Sequence, residues 1–164
     1  MSNEPVPIRM RKATDEDVSF IFNSWLKSFR DSGMLCRAVP NTIYFQNHHK
    51  IIQKILKRSV INIACNPQDL SQIYGYVIGE YIDNIFVLHY IYVKHSFRKM
   101  GVARQLYNTF NHDTGNASCC SHLTKMTEKF LPKYNLVYHP YVVLVDYEVE
   151  EVEGEGSEVK SDRP

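Results

Sequence analysis

Long apolar runs are missing from this sequence. No stretch approaches the roughly 18 uninterrupted apolar residues that a membrane-spanning helix needs, and residues 1–7 lack the basic-then-apolar order of a signal peptide. A cytoplasmic protein with no membrane partner is the expectation. Metal-ligand spacing is missing too. The four cysteines, Cys36, Cys65, Cys119 and Cys120, form no C-x-x-C pair, and the adjacent Cys119 and Cys120 cannot bond each other without strain. Free thiols in a reducing compartment follow. His48 and His49 are neighbours that point to different sides of a helix, with no further ligand at i+4, so no metal is expected. No basic run carries interleaved aromatics, which leaves nucleic acid without a recognisable footing.

What remains is ample material for one core. In 164 residues, 44% are hydrophobic and 12% aromatic, the proportions and length of a single globular unit. The charge is unevenly placed. Residues 148–164 hold seven acidic and two basic side chains, a net −5, so of the overall +1 the body, residues 1–147, carries +6. A basic body suits an anionic ligand. The acidic, glycine-bearing tail has little to bury and is expected to be disordered, which divides the chain into a domain over 1–147 and a tail over 148–164.

Residues 8–13 alternate apolar and charged, the period of a half-buried strand. Thr14 then offers a helix cap, followed by acidic Asp15, Glu16 and Asp17 at the positive end of the dipole. Val18, Ile21, Phe22, Trp25, Leu26 and Phe29 recur at helical spacing until about Gly33. After Pro40, residues 43–58 repeat the pattern with Tyr44, Ile51, Ile52, Ile55 and Leu56 between lysines. A short strand is expected over 60–65, then two long ones over 73–82 and 85–93, joined by Asp83-Asn84 as a hairpin. From Gly101 the period returns to helical, with Val102, Leu106, Tyr107 and Phe110 on one side and a stop at 112–116. Residues 117–121 read as a short strand, 123–131 as a helix stopped by Pro132, and 136–147 as a final strand or hairpin interrupted at Pro140.

The chemistry concentrates in residues 85–110. A strand ending at Val93 delivers a polar, basic loop, and a helix begins with its positive end facing the same point. Gly101 permits an unusual φ and a close backbone approach, and Ala103 keeps the first helical turn small enough for a diphosphate to lie across it. Arg98 and Lys99 add positive charge. One R-x-x-G-x-A would occur by chance in many proteins; here a long hairpin precedes it, a helix follows directly, and two helices separate the first two strands.

Arg98-Lys99-Met100-Gly101-Val102-Ala103 is similar to the Q/R-x-x-G-x-G/A signature of the GNAT superfamily of acyl-CoA-dependent N-acyltransferases, and the order of elements from Ile8 to Phe110 resembles that family's. The resemblance implies an α+β fold with a GNAT-like mixed, mostly antiparallel central sheet flanked by helices, and acetyl-CoA as co-substrate. It places the pantetheine arm on the backbone of Ile91, Tyr92 and Val93, and the pyrophosphate on the loop Arg98, Lys99, Met100, Gly101, Val102 and Ala103. The implied reaction is acetyl transfer to a primary amine of a small-molecule or protein acceptor, by a monomer or homodimer. The sequence departs from the pattern where His89 stands in place of a common glutamate, and where Lys133-Tyr134-Asn135-Leu136 has a tyrosine but no Gly-Phe.

Such a reaction needs a base, an oxyanion donor and an acid for the departing thiolate. His89 is the candidate base, directly or through water, or else a sheet histidine bonded to a carbonyl; Tyr134 is the candidate acid, or else an anchoring aromatic. A non-catalytic CoA-binding module and a structural or interaction protein with the same fold stand beside the enzyme.

Overall fold

Both long strands of the hairpin form where β-branched and aromatic residues alternate, and their link has the conformation its residues favour. Asp83 and Asn84 have φ of 48° and 63°, the doubly left-handed turn whose twist matches that of the flanking strands. The computed structural model describes residues 5–34, 36–110 and 117–145. In it, β1 (Arg9–Lys12), β2 (Val60–Cys65), β3 (Ile73–Ile82), β4 (Ile85–Val93), β5 (Ser118–Cys120) and β6 (Leu136–Tyr138) form one sheet in that order. Neighbours are antiparallel from β1 to β4; β4 with β5 and β5 with β6 are parallel. This is the mixed, mostly antiparallel sheet expected.

Helix α1 (Asp15–Ser32) starts firmly because Asp17 accepts from the Thr14 backbone N–H at 2.8 Å and from Arg11 at 2.7 and 2.9 Å. The Arg11 hydrogen bond holds the Asp17 carboxyl down at about 2. Helix α2 (Asn41–Arg58) follows a single 3₁₀ turn over Cys36–Ala38. Together they cover one face of the sheet. Ile21, Trp25, Ile52 and Ile55 are fully buried there against Tyr76, Ile78 and Tyr90. Each such side chain contributes roughly 1.5–3 kcal/mol through removal from water.

The opposite face is covered by α3 (Val102–Tyr107), whose Val102, Leu106 and Tyr107 pack on Val77, Phe86 and Leu88. Val77 between Tyr76 and Ile78 shows the period of two at work: successive β3 residues serve opposite cores. Helix α3 is shorter than its apolar pattern suggested, but turns closed by Thr109 N–H to Leu106 O and Phe110 N–H to Tyr107 O keep Phe110 buried in the same core.

The last third departs from expectation. Helix α4 (Lys125–Lys133) begins at a Thr124 cap, whose hydroxyl accepts from the Thr127 N–H, and runs through Pro132 rather than stopping before it. One hydrogen bond is lost at the proline, yet Tyr134 N–H still reaches Phe130 O at 3.0 Å and completes the last turn. The expected final strand is only three residues long, because Pro140 opens a 3₁₀ turn over Pro140–Leu144. The helix stop at 112–116 and the acidic tail lie outside the described residues. Among the described residues no helix is long and apolar enough to cross a membrane, and Cys36, Cys65, Cys119 and Cys120 are free and buried.

Candidate active site

A mismatch of strand lengths makes the cleft. β4 runs from Ile85 to Val93, but β5 pairs with it only at Phe86, Leu88 and the residue between them. Ser121 N–H to Leu88 O, 3.1 Å, is the last rung; after it the chain turns through His122 and Leu123 into α4. Beyond Leu88, β4 keeps its partner on β3, and among the described residues no strand pairs with its other edge. The separation leaves a cleft of about 680 Å³, lined on one side by Tyr90, Ile91, Tyr92 and Val93 and on the other by the start of α4 and Tyr134.

The loop after β4 closes the end of that cleft. Lys94 N–H bonds to Tyr74 O at 2.8 Å, and Phe97 stacks on Tyr74 with ring centres 4.0 Å apart, so the chain is pinned to β3 as it leaves the sheet. A 3₁₀ turn over His95–Phe97 leads to Arg98, whose Nε donates back to Val93 O at 3.0 Å. Lys99 and Gly101 are both left-handed, with φ of 64° and 77°. At Gly101 a side chain would meet nothing within 4 Å, so the glycine answers the backbone conformation and leaves open space in front of the loop. Gln105 N–H to Gly101 O closes the first turn of α3, whose leading N–H groups have no acceptor within the helix. Arg98, Lys99, Gly101, Val102 and Ala103 all line the cleft. Met100 is 46% exposed beside them.

No protein-family model matches the sequence, and no curated protein matches it. Shape is more informative. The fold is similar to that of a predicted acetyltransferase from Clostridium acetobutylicum, determined with acetyl-CoA, over 81% of this chain and 92% of that one, with a TM-score of 0.59 and 17% identity. It is also similar to histone acetyltransferase HPA2 and related acetyltransferase from Corynebacterium glutamicum, over 62% of this chain and 68% of that one, with a TM-score of 0.50 and 16% identity. The fold is the GNAT fold.

Within this GNAT fold the sequence-nominated residues separate into two groups. Ile91, Tyr92, Val93 and most of the Arg98–Ala103 loop share the cleft with Tyr134. Tyr134 caps α4, with its ring 4.3 Å from that of Tyr107 and with Lys133 Nζ 5.5 Å from its own ring centre. His89 is elsewhere. It falls at a register shift where Ile78 pairs with Tyr90 but Gly79 with Leu88, so it has no partner of its own on β3. Its side chain is 1% exposed and is not among the residues lining the cleft. His89 Nε2 meets Glu80 Oε1 at 2.6 Å and Nδ1 meets Ser121 Oγ at 2.8 Å. Burial pushes the imidazole below its ordinary range despite the carboxylate beside it. A histidine so enclosed cannot touch an acceptor directly.

Glu80 went unnoticed in the sequence. The signal was there: a lone carboxylate inside Ile-Tyr-Gly-Tyr-Val-Ile-Gly-Glu-Tyr-Ile must find a cation or lose its charge. Arg58, at the end of α2, supplies the cation with Nε 3.0 Å from Glu80 Oε1. Burial works against the carboxylate, but the His89 hydrogen bond and the Arg58 charge outweigh it and leave Glu80 below its ordinary pKa.

Proposed function

We propose that the chain is an acyl-CoA-dependent N-acetyltransferase that moves the acetyl group of acetyl-CoA to a primary amine. The observation that carries this reading is the joining of two features in one cleft: a strand with a free backbone edge and a basic loop with left-handed glycine at its far end. A pantetheine arm is a chain of amides and needs backbone partners, which Ile91 and Val93 offer where β5 has left them, while the Tyr92 carbonyl faces β3. A pyrophosphate needs N–H donors and positive charge, which the loop from Arg98 to Ala103 and the start of α3 offer together. The acetyl-CoA in the crystal structure of the Clostridium acetobutylicum protein supports the same ligand here.

The reaction forms a C–N bond as the C–S bond breaks, and two protons leave an ammonium acceptor on its way to an amide. Tyr134 lines the cleft on the wall across from the free edge, and it is the proton donor proposed for the departing thiolate. The oxyanion donor is a backbone N–H of β4 near Ile91. A CoA-binding module without turnover is the second reading, favoured by the burial of His89 away from the cleft. Calorimetry with acetyl-CoA tests the ligand, and thiol release across a panel of amines tests the reaction. Binding without release from any amine would favour the second reading, and absence of binding would remove both.

A further inference from the structure

The cleft is lined from both faces of the sheet, and its charge is divided between them. Successive β4 residues serve opposite faces: Ile91 and Val93 pack into the core under α3, Tyr90 and Tyr92 into the core under α1 and α2. On the α3 side stand Arg98, Lys99 and Arg104, the cations of the loop and of the helix after it, and α4 adds Lys125 and Lys133. On the α1 side stand Ser28, Asp31 and Ser32, which share one face of the last turns of α1 by their spacing of three and four. Among the described residues Asp31 is the only carboxylate that lines the cleft.

The frame around Asp31 is held on several sides. Tyr90 OH meets Ser28 Oγ at 2.8 Å, and the Tyr90 ring stacks on Trp25 with centres 5.0 Å apart. Ser32 Oγ donates to Ser28 O at 2.6 Å. The end of α1 is tied to the start of α4 by the bridge between Gly33 and Thr124 and by Met34 N–H to Leu123 O at 3.2 Å. Both ends of this wall are therefore fixed before any ligand arrives.

The Asp31 carboxylate has no hydrogen-bond or ion-pair partner among the described residues, although two arginines are near it in sequence. Arg37 spends its Nε and Nη2 on the Asp31 main-chain oxygen, at 3.2 and 2.7 Å. Arg30 donates to Cys36 O and lies over the Tyr44 ring, 5.2 Å from its centre. Neither lines the cleft. An acidic residue in the last turn of a helix sits at the negative end of the dipole, so it gains nothing for the fold there, and the helix end adds to its pull on a cation.

We infer that Asp31 selects the acceptor, and that the acceptor is an aliphatic diamine or polyamine: one amine meets the acetyl group beside β4 while Asp31 holds a second amine as its ammonium. The inference rests on the acetyl-transfer reading above and names the substrate class of that site. A second aliphatic amine is charged at neutral pH and finds in Asp31 a carboxylate with no other partner. Tyr90 and Tyr92 line the same side with their rings, apolar surface for the methylenes that join the two amines. An amino acid acceptor would instead bring a second carboxylate toward Asp31, and the cations of the loop that would welcome it stand on the other face, where the pyrophosphate needs them.

Three primary amines built on the same four-carbon chain test this: putrescine, which ends in a second amine, butylamine, which ends in a methyl group, and γ-aminobutyrate, which ends in a carboxylate. The parent should favour putrescine over butylamine roughly tenfold in kcat/KM, the scale of one charge-assisted contact at an exposed carboxylate, and should use γ-aminobutyrate least. Comparing that ratio between parent and variant cancels the intrinsic difference in reactivity of the two amines. Asp31→Asn should abolish most of the preference, Asp31→Glu should keep it, and Asp31→Lys should put γ-aminobutyrate ahead of putrescine. Calorimetry of putrescine against the protein saturated with CoA, where no transfer occurs, should show the same loss of affinity in Asp31→Asn. A parent that uses butylamine as well as putrescine, or an Asp31→Asn variant with the parent's ratio, overturns the diamine acceptor and leaves the acetyl-transfer reading intact. A protein that binds acetyl-CoA but acetylates none of the three, nor any other amine in the panel, overturns both.

Discussion

The two halves of β4 are built from similar residues and do opposite things. From Phe86 to Leu88 the strand has partners on both edges, and at its upper limit His89 is sealed between Glu80 and Ser121. From Tyr90 to Val93 the same strand has, among the described residues, a partner strand on one side only and lines a cleft. Side-chain chemistry does not divide them: Phe-Val-Leu below and Tyr-Ile-Tyr-Val above are both good strand material. The division comes from β5, which is three residues long and then turns away. Where the neighbouring strand is present, backbone polar groups are spent on the sheet and ionisable side chains must satisfy one another; where it is absent, the backbone is free for a ligand.

The comparison breaks most decisively in the closed half. Glu80→Ala would leave Arg58 without its carboxylate and His89 without its acceptor, at a cost of about 3–5 kcal/mol, the usual penalty for removing one partner of a buried ion pair. For a chain of this size that is a fall in melting temperature of roughly 6–20 °C. A melting curve within 2 °C of the parent, on the same scale, would show that the closed half does not depend on this pair.

In the open half the largest effect should fall on binding and spare the fold. Gly101→Glu puts a carboxylate into the open space before the loop. A like-charge contact with a phosphate at about 4 Å and an effective dielectric near 20 costs about 4 kcal/mol, nearly three decades of affinity. Calorimetry should show acetyl-CoA binding lost while circular dichroism is unchanged. Unaltered affinity would remove the loop from the pyrophosphate site.

Between pH 7 and pH 5, acid should act through the buried histidines. The folded-state pKa of His48, about 4, lies below the ordinary value near 6.5, so the unfolded chain takes up its proton first. The stability this histidine contributes is complete above about pH 6.5 and is lost as pH falls toward 4; at pH 5 the loss is about 2 kcal/mol. His89 and His122 are shifted in the same direction and add to it. Melting temperatures at pH 7 and pH 5 would check this, and equal values would mean that the histidines are already hydrated. The smallest effect belongs to Gly101→Ala, which meets no neighbouring atom but forces a Cβ into left-handed backbone at about 1 kcal/mol. Denaturant unfolding would resolve it, and a more stable variant would show that the loop relaxes to another conformation.

Much of the fold was legible. The turn at Asp83-Asn84, the amphipathic spacing of α1 and α2 and the change of period at Gly101 are local signals, each readable within a few residues, and each element formed where it was expected. The last third was read less well because its elements are short and lean on neighbours: α4 passes through Pro132, and β6 is three residues long. Within the site, the loop from Arg98 to Ala103 was visible as a motif. His89 was noticed as a titratable group, but the burial that rules out its direct contact with an acceptor was not visible in the sequence.

Sequence by itself determined what is decided by near neighbours: where φ must be positive, which faces are apolar, and which loop is basic and ends in glycine. Tertiary structure alone decided that β5 stops three residues into its pairing with β4, so that one strand serves as wall and as core. It also decided that His48 meets His122, 74 positions later, and that Glu80 on one strand meets Arg58 on a helix. A neutral histidine or a lone glutamate carries no mark of its partner in the local pattern, because hydrogen-bond partners across a sheet are chosen by register and crossing angle, which are set only when the whole core has packed.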